Sequence, residues 1–464
     1  MIKDKMQLLL IILLLLSIII LSLSLKSKST STSTSITSKL YYKKDNNNNN
    51  NNLNIDIISK NKNDNVVSFA TLLSATSLIA GTTVGAGILA LPSVALKPGF
   101  LYSSIALIGA WLYMVSTGLL IAEVSCNYNV KNVTGSTNNG ILSLTKKILG
   151  SKEATLAGTV YIFIHYALLT AYIAEAGEVL NKIFNLPTYI GPLLFTSTIG
   201  SVIAFGSSNL VEQTNNFFVL IILISFLGLV SIGLPLIKVS NLLQGDISSV
   251  YSTIPVMFVA LVYHNVVPSV CETLKYDKKS IQNAITYGSF IPLLMFLIWN
   301  FVILGIGANK SSIENFDPVD ALRTGSGNSL VSSFISIFSE SAIITSFLGF
   351  VIGLMSFYTD IFPNKSNRDL GLYTLVLIPP LIIAISNPNI FLGALDLAGT
   401  FGISLLFGAI PCLLAWKLRG SSSNVNPTKK GENITYQNFV PFGNSALLVI
   451  LAFTGFVIYQ KVFT

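Results

Sequence analysis

One stretch decides the fold of this chain: Ala80 to Pro92, which reads AGTTVGAGILALP. It lies inside an apolar run from about Phe69 to Leu96, which is long enough to cross a bilayer. Its middle, Gly81 to Gly87, is poor helix material, because Gly costs about 1 kcal/mol against Ala inside a helix and Thr is β-branched. Irregular backbone at membrane depth is tolerated only where protein buries it or where it lines a cavity. The stretch therefore predicts a broken helix whose free backbone groups bind a ligand near the midplane; close helix packing by small residues is the alternative.

The composition is that of a polytopic, all-α membrane protein. Of the 464 residues, 52% are hydrophobic and 10% are charged, whereas soluble domains carry about 25% charged residues. The net charge of +8 does not indicate nucleic-acid binding, because nine of the 28 Lys and Arg residues lie before residue 63 and most others fall in predicted loops. Cys126, Cys271 and Cys412 have neither pairing nor metal-ligand spacing, so no disulfide, metal or cofactor is expected.

The first 66 residues are expected to lie outside the folded body. Residues 1–25 are a signal-like hydrophobic segment, in which Lys3 and Lys5 precede a Leu/Ile run; an uncleaved anchor helix is the alternative. Residues 26–66 are rich in Ser, Thr and Lys and contain a run of asparagines, and this composition predicts a disordered leader of the transit-peptide kind. Residues 67–462 form the predicted transmembrane domain.

Eleven apolar segments of that domain are predicted to span the membrane. Their approximate bounds are 68–96, 98–122, 154–181, 189–208, 214–237, 251–273, 281–308, 329–359, 370–386, 390–416 and 443–460. Thirteen Lys and Arg residues fall in one set of loops and six in the other, which places the start of the first span inside. A cleaved secretory signal alone would leave the mature N-terminus on the wrong side. A secretory signal followed by a plastid transit peptide removes that conflict, so the plastid inner envelope is one hypothesis and the endomembrane or plasma membrane is the other.

The sixth span carries a second expected break. It contains Pro255 and Pro268, and each proline is expected to remove a helical hydrogen bond. Between them the triplet Tyr263, His264 and Asn265 lies in the middle of a hydrophobic span. Two interrupted spans separated by four regular ones are the arrangement of a 5+5 inverted repeat. Spans one and six would then cross at the midplane, and span eleven would be an addition.

Polar side chains inside the spans are candidates for transport roles, because they are costly in lipid. His264 is either a substrate contact or proton-sensitive group, or a neutral histidine bonded between helices. In the third span, four residues fall within one arc of a helix: Tyr161, His165, Tyr172 and Glu175. They either line the cavity or form an interhelical network.

Two later spans add further candidates. Four serines of span eight share one helical face: Ser332, Ser336, Ser339 and Ser346. Glu340 adjoins that face, whose hydroxyls either coordinate a small cation or bond to neighbouring helices. In span ten, Asp396 begins a four-residue series with Thr400 and Ser404, and it is either a proton relay or a structural partner. Glu123 and other acids near span ends are expected to form interfacial salt bridges or caps.

Several of these segments together resemble a known family. Ala80 to Pro92 is similar to the first-helix signature of the tryptophan/tyrosine permeases, which are aromatic amino-acid permeases of the amino acid/polyamine/organocation superfamily. Tyr263 to Ser269, Ser346 to Asp360, and Ile378 to Ile383 with Asn387-Pro388 resemble the family's sixth, eighth and ninth helices. The segments occur in order, and the resemblance covers nearly the whole transmembrane domain. The Gly-rich segment alone would indicate only the superfamily.

The resemblance implies eleven helices with a leucine-transporter-like core. It also implies that exposed backbone in the first and sixth helices holds the amino and carboxylate groups of an amino acid. Two features depart from the family's pattern. Val266 and Val267 fill places where small residues are expected, which predicts a tighter sixth-helix break. The leader is foreign to bacterial members and fits a eukaryotic relative.

The resulting prediction is a secondary active transporter, not an enzyme, that carries tyrosine or tryptophan with a proton across a lipid bilayer. The predicted substrate-binding residues are Gly81, Thr82, Val84, Gly85, Ala86, Gly87, Tyr263, His264 and Asn265, with Tyr161 and His165 as walls. The predicted coupling residues are one or two of His264, Glu340 and Asp396.

Three other functions fit the sequence less well. A sodium-coupled or broader neutral amino-acid carrier would use carbonyls near Ala80 and the hydroxyls of span eight. A sensor with the transporter fold would bind an amino acid without moving it. A membrane-embedded enzyme is disfavoured, because the chain has only two histidines, no H-E-x-x-H motif and isolated cysteines.

Overall fold

The computed structural model describes residues 67–131, 140–307, 329–362, 366, 368–421 and 436–463. The predicted segments 1–25 and 26–66 lie outside the described residues. Within the described ranges the regular elements are helices, numbered here in chain order: α1 (Phe69–Thr83), α2 (Gly87–Ala95), α3 (Gly99–Lys131), α4 (Ile141–Ile148), α5 (Ser151–Phe184), α6 (Ile190–Phe205), α7 (Ser208–Gly233), α8 (Val239–Leu242), α9 (Ile254–Ala260), α10 (Val267–Thr273), α11 (Lys278–Ile306), α12 (Ser329–Ile361), α13 (Leu370–Ser386), α14 (Phe391–Leu397), α15 (Ile410–Ser421) and α16 (Gly443–Phe463).

Short 3₁₀ segments and one π-helical segment join some of these helices. The 3₁₀ segments are Leu234–Leu236, Ile247–Thr253 and His264–Val266, and a π-helical segment, Ala398–Ala409, connects α14 to α15. In the π-helical segment the Ser404 hydroxyl donates to the carbonyl of Gly399, five residues earlier, at 3.0 Å. π-helical turns are rare and occur frequently at functional sites.

Side-chain caps begin several of the long helices. The cap residues, each accepting from a backbone N–H two or three residues into its helix, are Ser68, Ser207, Asp277 and Asp369. These side chains satisfy N–H groups that have no partner inside the helix. At the other end of α5, Asn185 takes the left-handed conformation (φ 55°) that commonly ends helices. The helices therefore begin and end at residue types that suit helix ends.

Eight helical segments are long and apolar enough to cross a membrane, or nine if α1 and α2, which meet at 54°, form one span; this count covers the described residues. The shorter apolar helices α6 and α13 would bring the number to eleven, which stays a prediction. One loop differs from expectation: α3 runs to Lys131 instead of ending near residue 122, and α4 lies in the rest of that connection.

The outer surface of the bundle is apolar. Helices α7 and α16 bury little of their length inside the protein: only 28% and 22%, respectively, of their most apolar 18 residues. Leu220, Ile224 and Leu227 of α7 are among the large apolar side chains that point outward. A continuous apolar surface of this kind is suited to lipid rather than water. The chain is an integral, multi-pass membrane protein.

Helices α5 and α12 pack side by side and run in opposite directions. Along α5 the ring of Tyr161 lies 4.9 Å from Phe357, and the ring of His165 lies 5.1 Å from Phe350. Tyr172, further along α5, also contacts Phe350, at 5.7 Å, and bonds to Ser346. Residue numbers thus fall along α12 as they rise along α5, and this order fixes which polar residues of the two helices are neighbours.

Candidate functional site

The first interruption separates α1 from α2 by three residues. Val84 takes an extended conformation (φ −75°, ψ 106°), while its N–H still bonds to the carbonyl of Ala80 at 3.0 Å. The hydroxyls of Thr82 and Thr83 donate back to Leu78 and Ile79 at 2.7 and 2.8 Å. Such local bonds weaken a helix in its last turn. The chain can therefore leave the helix at Val84 with little loss of hydrogen bonding.

The start of α2 is held by a hydroxyl from α12. The Ala86 N–H donates to Ser346 Oγ at 2.8 Å, so Ser346 satisfies one of the N–H groups that precede the first helical turn. Ile88 and Leu89 bond to the carbonyls of Gly85 and Ala86 at 3.2 and 3.1 Å. Gly85 lies so close to Ser346 Oγ that a Cβ at this position would overlap the oxygen. A helix N-terminus attracts an anion, and this one lies inside the bundle.

The second interruption lies between α9 and α10. Helix α9 ends at Ala260, Tyr263 takes a non-helical conformation (φ −146°, ψ 5°), and the 3₁₀ turn that begins at His264 leads into α10. Leu261 to Tyr263 lie outside the helices, so this break is no shorter than the first, although Val266 and Val267 predicted a tighter one.

The prolines of this span act differently from our prediction. Pro255 and Pro268 each lie in the first turn of a helix, α9 and α10 respectively. An N–H in the first turn has no partner within its helix, so neither proline removes a helical hydrogen bond. The two prolines start the half-helices on either side of the break and do not cause it.

The two interruptions are in direct contact. A Cβ built on Gly87 would lie 2.6 Å from the Cα of Ala260 and 2.9 Å from its Cβ. Only a glycine therefore lets the start of α2 approach the end of α9 this closely. The N-terminus of one half-helix and the C-terminus of another meet at one place in the protein interior.

Tyr263 and His264 are fully buried beside α3. The Tyr263 hydroxyl donates to the carbonyl of Met114 at 3.1 Å, and its ring fills the space left by Gly118. The His264 ring lies between Tyr263 and Phe407, with ring centres 4.9 Å from each.

Thr117 is the hydrogen-bond partner of His264 Nε2. The Thr117 hydroxyl lies 2.8 Å from His264 Nε2 and donates to the backbone of Tyr113 at 3.2 Å. His264 Nδ1 is buried and has no hydrogen-bond partner within the described residues.

The other predicted binding residues lie in varied surroundings. Gly81 and Thr82 belong to the last turn of α1, and both are half-buried. Asn265 is exposed, unlike its two neighbours in the triplet. Tyr161 and His165 stack on each other at 4.0 Å, and His165 Nδ1–H donates to the Tyr161 carbonyl at 2.8 Å. They pack against Gly353 of α12 rather than against Ser346.

The predicted coupling residues differ in their surroundings. Asp396 forms an ion pair with Lys461, and both side chains are partly exposed. His264 is enclosed by two aromatic rings. Glu340 is different, because its Oε1 is buried and has no hydrogen-bond partner in the described part of the chain. Its electrostatic neighbour is Glu175 of α5.

Comparison with known proteins decides the family. The profile of the Tryptophan/tyrosine permease family matches residues 69–460. The chain belongs to this family. Like the rest of the family it is an amino-acid permease and not an enzyme. The order of segments that suggested this resemblance therefore identified the family correctly.

The permease is similar to bacterial transporters along most of its length. It is 31% identical to the tyrosine-specific transport system 1 of Haemophilus influenzae over 380 residues, which cover 78% of this chain and 92% of the relative. It is 28% identical over 365 residues to a tryptophan-specific transport protein of Shigella flexneri, with 74% and 86% covered.

A solved structure shares the fold of the permease. The crystal structure of MhsT in complex with L-phenylalanine superposes with a TM-score of 0.60, covering 84% of this chain and 99% of that one, at 12% identity. This likeness shows the fold alone, which is the leucine-transporter-like fold that the sequence predicted.

Several residues that shape this part of the permease were not predicted from sequence. Thr117 and Gly118 of α3 and Phe407 of the π-helical segment enclose Tyr263 and His264. Each lies more than 100 residues from His264 in the chain. The only local signal was a glycine inside an apolar helix, which in membranes commonly marks close helix contact.

Proposed function

We propose that this permease is a secondary active transporter that carries tyrosine or tryptophan together with a proton. The observation that carries the proposal is the contact between Gly87 and Ala260, where two interrupted helices meet inside the bundle. Interrupted helices that meet inside the membrane form substrate sites in transporters of this architecture. The tyrosine-specific and tryptophan-specific relatives support an aromatic substrate.

The amino-acid head would bind to the backbone of both interruptions. The carboxylate would accept from N–H groups at the start of α2, namely those of Gly85, Ala86 and Gly87, where the helix dipole favours negative charge. The ammonium group would donate to carbonyls at the end of α1, those of Gly81 and Thr82. Val84, between these two sets of groups, turns the chain. Charge-assisted hydrogen bonds of this kind are roughly twice as strong as neutral ones.

The aromatic side chain would lie between α5 and the second interruption. Tyr172 of α5 bonds to Ser346, the residue whose hydroxyl holds the start of α2. His165 is seven residues away on α5, or roughly 10 Å. We therefore assign Tyr172 to the wall of the site, and Tyr161 and His165 to the inner end of the path. Tyr263 and His264, which pack against α3, support the second interruption, whereas Asn265 is exposed and its role as a ligand stays a prediction.

The proposed architecture is eleven helices with a 5+5 inverted repeat. Helix pair α1 and α2 is the first broken helix, and α9 and α10 form the sixth. The bend of 54° in the first pair supports this assignment. In this arrangement the two half-repeats would rock about the contact between Gly87 and Ala260.

Uptake into proteoliposomes tests the function. The purified protein should accumulate labelled tyrosine or tryptophan when the outside is acidic, and a protonophore should abolish the accumulation. Phenylalanine, leucine and glutamine complete the panel, because a broader neutral carrier would take them equally well. Accumulation that follows a sodium gradient and ignores a protonophore would establish the sodium-coupled alternative. Binding without counterflow would establish a sensor.

The plastid location is a separate proposal that rests on the leader. Residues 1–66 should direct a fluorescent protein to the plastid envelope, and removal of residues 1–25 alone should abolish that route if the leader is bipartite. Fluorescence at the plasma membrane with the whole leader present would reject this location.

A further inference from the structure

We propose that His165 carries the proton that drives transport. This inference rests on the proposed function and names the residue that holds the coupling ion. Sequence alone predicted a wall role for His165 and placed the coupling at His264, Glu340 or Asp396. The proposal stands on three features of the His165 ring: its hydrogen bond, the aromatic rings that cover it, and the point of α12 that it faces.

The hydrogen bond of His165 determines which ring nitrogen takes up the proton. Nδ1 lies 2.8 Å from the carbonyl of Tyr161, one turn earlier on α5. A carbonyl can only accept, so Nδ1 carries a hydrogen in this arrangement. In the neutral imidazole the other nitrogen, Nε2, is then unprotonated, and it is the atom at which a further proton binds.

Nε2 faces a hollow on α12 that exists because residue 353 is glycine. A Cβ built on Gly353 would lie 3.2 Å from His165 Nε2 and 3.3 Å from the hydroxyl oxygen of Tyr161. The two polar atoms therefore face the same point of α12. Tyr161 is partly exposed, whereas His165 is buried. A proton from water would form an N–H bond at Nε2 past the Tyr161 hydroxyl, and that bond would break when the proton returns to water on the other side.

Aromatic rings stabilise a protonated His165 without a counter-ion. The ring of Tyr161 lies 4.0 Å from the imidazole, and the ring of Phe350 lies 5.1 Å from it. Both are within about 6 Å, the range over which an aromatic ring attracts a cation. The bond from Nδ1–H to the carbonyl also strengthens when the imidazole is charged. These contacts offset part of the cost of a charge inside the membrane, and they bind the proton less firmly than an adjacent carboxylate would.

On the helices packed against α5, the described ionisable side chains have other partners or are exposed. Helix α6 and the π-helical segment carry no ionisable residue. Tyr358 of α12 bonds to the Tyr166 hydroxyl at 3.0 Å, and Tyr373 of α13 donates to the backbone of α6. Asp396 of α14 is paired with a lysine of α16. The two lysines of α4 are exposed.

The acids of α5 and α12 are distant from His165 along the helix axes. Glu175 is ten residues from His165 on α5, which is roughly 15 Å. Glu340 is thirteen residues from Gly353 on α12, which is roughly 20 Å. The charged residues in the first turn of α5 are exposed. A proton on His165 is therefore the charge that changes in this part of the contact between α5 and α12, within the described residues.

Phe350 joins His165 to the proposed substrate site. Its ring contacts His165 at 5.1 Å and Tyr172 at 5.7 Å. Tyr172 bonds to Ser346, whose hydroxyl holds the start of α2. A substrate ring that rests on Tyr172 would displace Phe350, and the same ring covers His165. Proton binding and substrate binding thus act on one side chain, which gives the two events a physical link.

The three residues that sequence predicted for the coupling are less suited to it. Asp396 forms an ion pair with Lys461. His264 packs against α3, where its Nε2 lies beside Thr117. Glu340 is the remaining rival, because its Oε1 is buried without a hydrogen-bond partner in the described part of the chain. The experiment therefore includes Glu340.

Transport by reconstituted variants separates proton coupling from substrate movement. Full-length wild type and five variants are placed in liposomes: His165→Asn, His165→Gln, Phe350→Leu, Phe338→Leu and Glu340→Gln. Two rates are measured for labelled tyrosine: counterflow at equal pH, and accumulation under a gradient of one pH unit. For one coupled proton that gradient supports at most about tenfold accumulation. A pH-sensitive dye inside the liposomes records proton entry upon addition of tyrosine.

The inference makes a distinct prediction for the variants of each residue. H165N should keep counterflow within about threefold of wild type but lose accumulation and the proton signal, because an amide can bond to the Tyr161 carbonyl but binds no proton at neutral pH. F350L should need a more acidic medium for half-maximal accumulation, by roughly half a pH unit, because the protonated ring loses an aromatic neighbour. F338L is the control, since Phe338 is buried on the same helix but packs against Phe226 and Trp299, and its pH dependence should match wild type.

Contrary outcomes are distinguishable from a failure of the proposed function. Accumulation by H165N at the wild-type level would overturn the inference, and loss of accumulation by E340Q in that case would assign the proton to Glu340. A parallel loss of counterflow and accumulation in both H165N and H165Q would show a structural role instead. Equal pH shifts in F350L and F338L would reject the link through Phe350. Wild-type counterflow without any response to pH would exclude proton coupling while leaving transport intact, and absence of counterflow in wild type would reject the proposed function itself.

Discussion

At the scale of single residues, Gly85 permits the contact that orders the first interruption. A side chain at this position would overlap Ser346 Oγ and break its bond to the Ala86 N–H. We expect Gly85→Ala to reduce tyrosine uptake at least about tenfold and Gly85→Leu to abolish it, because a buried N–H left without a partner costs about 1–3 kcal/mol. Uptake and the amount of protein in the membrane are measured together.

Gly349 provides the control for this substitution. It lies on α12 near Ser346, and a Cβ there would meet nothing within 4 Å. Gly349→Ala should preserve uptake, since Ala is preferred to Gly in a helix by about 1 kcal/mol. Undiminished uptake by G85L would refute the assignment of this site.

A second single substitution tests the role of Ser346. Ser346→Ala removes the hydroxyl that bonds to Ala86 and Tyr172, so KM for tyrosine should change severalfold. Among the described residues, the hydroxyl of the neighbouring Thr345 bonds to its own helix, at the carbonyl of Ala342, so T345A should leave KM unchanged. Equal effects of the two substitutions would indicate a general disturbance of α12.

At the level of the helices, a cluster around one buried ion pair ties neighbouring ends of three helices together. Arg419 of α15 forms two hydrogen bonds to Glu123 of α3, at 2.8 and 2.9 Å, and both side chains are buried. The Phe439 N–H and the Tyr436 hydroxyl, each at 2.8 Å, complete the acceptor sites of Glu123. Burial and the Glu123 charge raise the pKa of Tyr436, so its hydroxyl stays protonated and donates. Lys278 of α11 anchors the same segment at Asn438.

This cluster should contribute strongly to stability. Glu123→Gln leaves the Arg419 charge buried without its counter-ion, and breaking such a pair costs roughly 3–5 kcal/mol. The thermal unfolding temperature in detergent should fall by several degrees. The exposed pair of Glu178 and Lys182 serves as control, because E178Q should cost at most about 0.5 kcal/mol. Equal shifts for E123Q and E178Q would contradict this role.

At the scale of the whole molecule, the orientation in the membrane is open to a direct test. All three native cysteines are buried, so the chain gives little background in thiol labelling. Lys182 and Lys146 are exposed at opposite ends of the bundle. In bacteria that express the protein in their plasma membrane, an impermeant maleimide should label K182C and not K146C in intact cells. The reverse pattern would invert the topology drawn from the loop charges.

The architecture could be predicted from sequence because apolar runs of membrane length are a strong signal. Helix α13 has the predicted bounds, 370–386, and the first interruption falls where three glycines occur in seven residues. The prediction that Pro255 and Pro268 interrupt the sixth span was wrong, because the sequence does not distinguish a proline that starts a helix from one that breaks it. Gly87 and Ala260 are 173 residues apart, so only the packing of α2 on α9 could show that they are in contact.

The bond between Ser346 and the start of α2 makes substrate binding an exchange of ligands. The Ala86 N–H already has an oxygen partner, so an incoming group must replace a neutral hydroxyl with something better. A carboxylate does so, because a charge-assisted bond is stronger than a neutral one. Tyramine and tryptamine share the ring and the ammonium group of the amino acids but have no carboxylate, and they would have to compete without that gain. The Ser346 hydroxyl would thus make the permease select amino acids over the corresponding amines.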